Sequence, residues 1–289
     1  MAVTIVGCGD IGTRVALACR ADGSRVTAWV RTPESAQRLR RLGVNAVQAD
    51  LDRALAPDHT VEEGVLYYFA PPPPKGRQDS RVGRFIARLN EGPPPEKVVY
   101  LSTSGVYGDC RGAWVDETRT PSPTADRAIR RLDAEAQWHA WSERTGLGLV
   151  ILRVAGIYGP GKLPLQRLRS RQPMVAEADA PITNHIHSLD LVRIARIAMQ
   201  RAPSGEVYNV CDGAPEPMTS YFNQVADFLK LPRPPVISLE EAQRQLSPGM
   251  LSYLKESRRL SNRKLLEELG VELAYPSLEQ GLQASLSIE

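Results

Sequence analysis

The sequence predicts an α/β fold, a doubly wound parallel sheet with a smaller α+β lobe built from the C-terminal part. Three observations lead there. In the first half, short apolar runs alternate with longer amphipathic stretches, the pattern of β-α units around a sheet buried on both faces. That alternation fades near residue 153, where Gly and Pro punctuation takes over. A glycine-rich turn also stands between the first strand and the first helix.

Strands are expected over residues 2–6, 25–30, 44–48, 64–70, 97–101 and 148–152, each an apolar run bounded by polar or turn-forming residues. Helices are expected between them. Residues 11–21 carry small apolar side chains at helical spacing, and 33–42 opens on Pro33, an early helical position where a missing N–H costs nothing. Residues 80–90 and the long stretch 125–145 complete the set. Later come a helix at 189–200, a strand at 206–210, a helix at 218–229, a proline-rich connector at 231–235 and a Leu-rich helix at 262–269 stopped by Gly270. The expected division is a nucleotide-binding part, 1–153, and a mainly substrate-binding lobe, 154–289, with some elements returning to the first part. Pro71 to Pro74 read as a stiff extended loop at the sheet's carboxyl edge, or as a ligand segment for proline-binding domains.

Composition narrows the function. The 289 residues are 42% hydrophobic and 24% charged, values of a folded globular chain. A net charge of +3, from 36 basic and 33 acidic side chains, argues against a nucleic-acid or membrane-surface partner and for a small molecule. No apolar run reaches the roughly 18 to 20 residues of a membrane span, and no signal peptide opens the chain, so a cytoplasmic protein is expected. Cys8, Cys19, Cys110 and Cys211 lack metal-ligand or disulfide-framework spacing and read as reduced structural thiols, with no metal site.

Gly7-Cys8-Gly9-Asp10-Ile11-Gly12 is a G-x-G-x-x-G motif in its required context, after a strand and opening a helix. Gly7 permits the tight turn, Gly9 lets a pyrophosphate approach the backbone, and Gly12 allows close helix-to-strand packing, with the ligand's charge at the helix N-terminus around Asp10 and Ile11. This is the fingerprint of a Rossmann-type fold. Arg31, followed by Thr32, falls nineteen positions after Gly12, where NAD-binding chains usually place an acidic residue for the ribose. Arginine there favours a 2′-phosphate, so NADP is the expected cofactor with NAD possible; Arg14 is a weaker phosphate candidate. Asp50 and Leu51 are expected beside the adenine, and Ala70 and Pro71 beside the riboses.

At the fifth strand the chain reads Tyr100-Leu101-Ser102-Thr103-Ser104-Gly105-Val106-Tyr107-Gly108-Asp109. Further on stand Asp116-Glu117 and Pro121, then Leu152-Arg153 with Ile157-Tyr158-Gly159-Pro160-Gly161, Asn184 to Leu191, and Val207-Tyr208-Asn209-Val210. Together these resemble, in order and over most of the chain, the extended short-chain dehydrogenase/reductase family of nucleoside-diphosphate-sugar epimerases and dehydratases. The resemblance implies a nucleotide-binding fold, NAD(P) chemistry, a dimer through the helices flanking the fifth strand, and a substrate-polarising hydroxyl at Thr103.

The resemblance also implies a catalytic Tyr-x-x-x-Lys on the helix that follows, and here the chain departs from it. Counting back four and eight positions from Glu135 gives Arg131 and Arg127 where lysine and tyrosine are expected. Arginine has a pKa above about 12 and only donors, so Arg127 is no general base near neutral pH. Arg131 can still donate to ribose hydroxyls. Four apart on one helix face, the two guanidiniums suit a carboxylate or phosphate, and hence an anionic substrate; with Arg130 they also read as a solvated face. The pattern resembles the atypical, YeeZ-like branch of the same family, whose members keep the fold and lose the catalytic residues.

If a proton must move, Tyr107 is the first substitute, with Tyr158, Glu117, His185 and His187 behind it, although both tyrosines also read as packing residues. His187 reads as structural, ahead of a helix capped by Ser188 or Asp190, and Asn184 and His185 as lining the cleft. Ser102 to Ser104 lack the nucleophile elbow of a hydrolase. The basic run 255–263, with Arg258 and Arg259, reads as an anion contact or a solvated end. Two functions remain: an NADP-dependent oxidoreductase or epimerase-like enzyme, and an NADP-binding sensor or scaffold without turnover.

Overall fold

A computed structural model describes residues 1–56 and 59–286. Seven strands form one parallel sheet. In chain order they are Ala2–Val6, Arg25–Val30, Asn45–Gln48, Val65–Tyr68, Lys97–Thr103, Gly148–Val154 and Glu206–Val210. Across the sheet they run third, second, first, fourth, fifth, sixth, seventh, so the winding direction reverses between the first and fourth strands. A ligand crevice is expected at the carboxyl ends beside that switch point.

The strands are apolar at successive positions because both faces are covered. Ile5, Tyr67, Val99 and Leu152 face a core shared with the helices Asp10–Ala21 and Ser188–Arg201. Their neighbours Val6, Tyr68, Tyr100 and Ile151 face the other core, with Phe85 and Trp138 from the helices Ser80–Leu89 and Asp126–Thr145. In this second core Tyr68, Tyr100 and Phe85 pack around Trp138 with ring centroids 5.4 to 6.5 Å apart, contacts that add about 0.5 to 1.5 kcal/mol each beyond area burial.

The fifth and sixth strands each extend two residues past the expected ends, because Ser102 pairs with Arg153 and Thr103 with Val154. Such polar residues look like a loop in sequence. Here Glu135 makes them tolerable inside: Ser102 Oγ donates to its Oε1 at 2.5 Å and Arg153 Nη2 to its Oε2 at 2.7 Å. A 3-10 turn, Ser104–Tyr107, then carries the chain off the sheet.

The seventh strand and the helices Ser188–Arg201 and Arg263–Leu269 lie with the main sheet although they come late in the chain. A separate cluster of buried side chains gathers Tyr158, Leu168, Met174, Tyr221, Phe222 and Leu282 from the later part of the chain. The helices Leu239–Gln245, Pro248–Leu254 and Leu278–Leu286 were not expected, being short and weakly periodic. Their caps were readable, since Ser238 and Glu241 form a capping box and Ser247 caps the helix opening on Pro248. The cap of Ser188–Arg201 corrects the expectation: His187, not Ser188 or Asp190, accepts from Leu189 N at 3.4 Å. Asp190 is instead buried and receives the N–H groups of Ala274 and Tyr275, both at 2.9 Å, closing the C-terminal segment onto the helix.

Candidate active site

Two cavities lie along the carboxyl edge of the sheet. The first, about 310 Å³, is built on the glycine turn. Gly7 has a φ of +81°, and a Cβ there would meet Ala70 N at 2.3 Å, so this turn and the exit of the fourth strand touch backbone to backbone. A Cβ at Gly12 would lie 3.3 Å from Ile5 Cγ2, the close helix-to-strand contact expected of that position. At Gly9 it would meet nothing within 4 Å, so the backbone there is open to a ligand. The helix that follows leaves its first-turn N–H groups outside the helical ladder, next to Gly9 in the cavity wall. Asp10 opens this helix between Arg14 and Lys162, at 3.1 and 3.4 Å, while Ile11 is buried beneath it.

Arg31, Thr32, Asp50 and Leu51 join Gly7, Gly9, Ala70 and Pro71 in the wall of this cavity. Arg31 is exposed and its side chain makes no hydrogen bond among the described residues. Thr32 also caps the helix Pro33–Arg41, accepting from Ser35 N at 3.3 Å. Asp50 accepts from Asp52 N at 3.0 Å. Arg81, which the sequence reading missed, binds both oxygens of Asp52 at 2.8 and 2.6 Å, and its Nη1 donates to Pro71 O and Pro72 O. It thereby ties the loops after the third and fourth strands together, and its hydrogen bonds hold the Asp52 carboxyl below the usual range. Twenty-nine residues separate the partners, so no local pattern could announce them.

The second cavity, about 420 Å³, has Arg131 and Thr103 in its wall. Arg131 Nη1 donates to Leu101 O at 2.9 Å, to Tyr100 Oη at 3.2 Å and to Ala70 O at 3.3 Å, bridging the exits of the fourth and fifth strands. Thr103 lines this cavity; its Oγ1 accepts from Gly105 N at 3.2 Å, which leaves the hydroxyl proton for a ligand oxygen. Arg127 lines it too, held by Ser252 Oγ at 2.6 Å and lying 4.1 Å over the Tyr253 ring. Arg130 is buried on another side, donating to Gly76 O at 2.6 Å, so none of the three arginines is a freely solvated face.

Glu256 and Arg258 complete this wall, with Tyr253. Arg258 Nη1 donates to Gly108 O at 2.7 Å and to Glu256 Oε2 at 3.1 Å. Asn184 steadies this segment through Arg258 O at 2.9 Å and Leu260 N at 2.8 Å. The basic run thus divides: Arg258 enters the cavity, whereas Arg259 turns to Gly112 O.

The expected proton donors lie elsewhere. Tyr107 is 1% exposed, donates to Asn209 Oδ1 at 2.8 Å, and burial pushes its hydroxyl up to about 12; its expected place in the cleft is therefore corrected. Tyr158 is buried, its hydroxyl turned to Ser277 O. Glu117 receives Asn209 N at 2.7 Å, outside this cavity. His185 stacks on Tyr221 with centroids 4.0 Å apart, and burial lowers its pKa to about 3, so it is neutral. His187 is buried as a helix cap, its pKa also lowered by burial.

A family model described as the NAD dependent epimerase/dehydratase family matches residues 79–211. Protein YeeZ of Escherichia coli K12 is 24% identical over 283 residues, covering 95% of this chain and 96% of that one. A functionally unknown conserved protein from Silicibacter pomeroyi superposes with a TM-score of 0.84 at 31% identity, over 99% of this chain and 98% of that one. A UDP-glucuronic acid 4-epimerase from Bacillus cereus, solved in complex with NAD, reaches a TM-score of 0.78 at 18% identity over 99% and 98% of the two chains, a likeness of fold.

Proposed function

Because this chain belongs to the NAD-dependent epimerase/dehydratase superfamily, we propose that it binds a nicotinamide dinucleotide, NADP in preference to NAD, and acts as an oxidoreductase or epimerase-like enzyme on a small substrate without the usual tyrosine and lysine. The observation that carries this reading is Arg131, which lines the cavity of Thr103 and donates to the carbonyl of Ala70, a residue in the wall of the cavity built on the glycine turn. The first cavity fits the nucleotide: Gly9 admits a pyrophosphate, Arg31 offers its fork to a 2′-phosphate, and Asp50 and Leu51 border the base. A bound nicotinamide supplies a hydride donor or acceptor. Thr103 polarises the substrate oxygen, Arg131 keeps the two strand exits in register and offers its remaining donors to a ribose, and Arg127 stabilises negative charge. The buried unpaired cysteines suit the reducing cytoplasm, where we place the protein.

Calorimetric titration with NADPH, NADP, NADH and NAD tests the reading. The expected result is tighter binding of the phosphorylated pair, lost in Arg31→Asp; binding of none of the four would refute it. A second reading, an NADP-binding sensor without turnover, is favoured by arginine at position 127 and by the burial of Tyr107 and Tyr158. Hydride transfer sensitive to Thr103→Val would remove it.

A further inference from the structure

We propose that the cavity beside Thr103 takes a small hydroxy acid, an organic anion whose carboxylate or phosphate lies within a few bonds of the reacting hydroxyl. This rests on the oxidoreductase reading above and adds the substrate class. Arg127, Arg131 and Arg258 converge on the cavity from two distant parts of the chain, and Glu256 is the one carboxylate in its described wall. Three cations against one anion in a confined space repel one another, and a bound anion relieves that repulsion.

The hydrogen-bond inventory points the same way. Each guanidinium is anchored through Nη1, to Ser252, to the strand-exit carbonyls and to Gly108 respectively. Arg127 Nη2 lies 3.9 Å from Glu256 Oε1, beyond hydrogen-bond reach, and both Glu256 Oε1 and Arg258 Nε are buried without a partner. Among the described residues Nε and Nη2 of Arg131 have no acceptor. Arg127 and Arg131 therefore keep charged donors without acceptors in the wall they share, the complement of an anion.

Position decides the class. A Cβ at Gly105 would lie 3.5 Å from Thr103 Oγ1 and 3.6 Å from Ala128 Cβ, so the turn carrying Thr103 rests on the helix turn between Arg127 and Arg131. The guanidiniums of Arg127, Arg131 and Arg258 share one cavity wall with Thr103. A nucleotide sugar carries neutral hydroxyls around its reacting ring carbon and its diphosphate at the far end, whereas a hydroxy acid places the anion beside the reacting carbon.

The test is calorimetric titration of the full chain, at constant ionic strength, with gluconate, glycerol 3-phosphate, glucose and UDP-glucose. Gluconate and glycerol 3-phosphate separate a carboxylate from a phosphate. The expected result is that one or both bind, that glucose does not, and that Arg127→Met and Arg258→Met each weaken binding at least tenfold while NADPH binding and circular dichroism stay native. The proposal is overturned if both acids are silent, if UDP-glucose alone binds, or if the variants bind the acid as the native chain does. Acid binding without NADPH binding would sink the cofactor reading and leave this one standing; NADPH binding with silent acids would do the reverse.

Discussion

Replacing Arg153 by Met tests whether a buried ion pair sets the spacing between Thr103 and Arg131. Arg153 and Glu135 side chains are 7% and 3% exposed, joined by Nη2 to Oε2 at 2.7 Å and Nε to Oε1 at 3.2 Å. Ser102 adjoins Thr103, and Glu135 lies one helical turn beyond Arg131, so the pair clamps the two functional positions together. Arg153→Met leaves a buried carboxylate with Ser102 as its remaining side-chain partner, a loss of about 3 to 5 kcal/mol. At about 2 °C per kcal/mol for a chain of this size, Tm falls by roughly 6 to 10 °C. Removing both charges in Glu135→Leu/Arg153→Met restores most of that loss, because the pair's attraction does little more than offset its own desolvation. Urea unfolding of the native chain, both single variants and the double variant closes a thermodynamic cycle. A loss below about 1 kcal/mol in the single variant, or a double variant as unstable as the two losses summed, would refute the reasoning.

Three further outcomes are expected. Gly7→Ala drives a Cβ to 2.3 Å from Ala70 N at a φ of +81°, so NADPH binding is lost and Tm falls, while Gly9→Ala, with open space around it, leaves Tm native; equal thermal losses in the two would contradict the contact. Asp212 has its pKa raised by burial from 3.8 to about 7, so the folded chain holds this proton while the unfolded chain has lost it between those values, and stability contributed by this group declines as pH rises from about 4 to about 7. Asp212→Asn removes that decline, roughly 4 kcal/mol over its full range, and its unfolding free energy should gain on the native chain between pH 5 and pH 8; a constant difference would count against a buried protonated Asp212. Thr103→Val is expected to cut turnover on an identified substrate by about 100-fold with NADPH affinity unchanged, as for the loss of one polarising donor; unchanged turnover would exclude its role.

Much of the architecture was legible because it is written locally. The short continuous apolar runs, the Pro33 helix start, the Gly270 stop and the glycine turn each depend on residues within a few positions of one another, and the strands Ala2–Val6, Arg25–Val30 and Glu206–Val210 lie where the pattern put them. Thr103, Arg127 and Arg131 were readable as a group because a strand end and the helix after it meet at one sheet edge. By itself the sequence also determined that arginine, not tyrosine, stands at position 127.

Tertiary structure decided the rest. Tyr107 looked available from its place after the fifth strand, but Asn209, 102 residues on, takes its hydroxyl into the interior. Glu256 and Arg258 lie in a basic run that read as an anion contact or a solvated end; Asn184 holds their segment in the wall of the cavity that Arg131 also lines. Burial, hydrogen-bond satisfaction and the convergence of like charges depend on contacts between residues far apart in the chain, and no local pattern encodes which partner a side chain will meet.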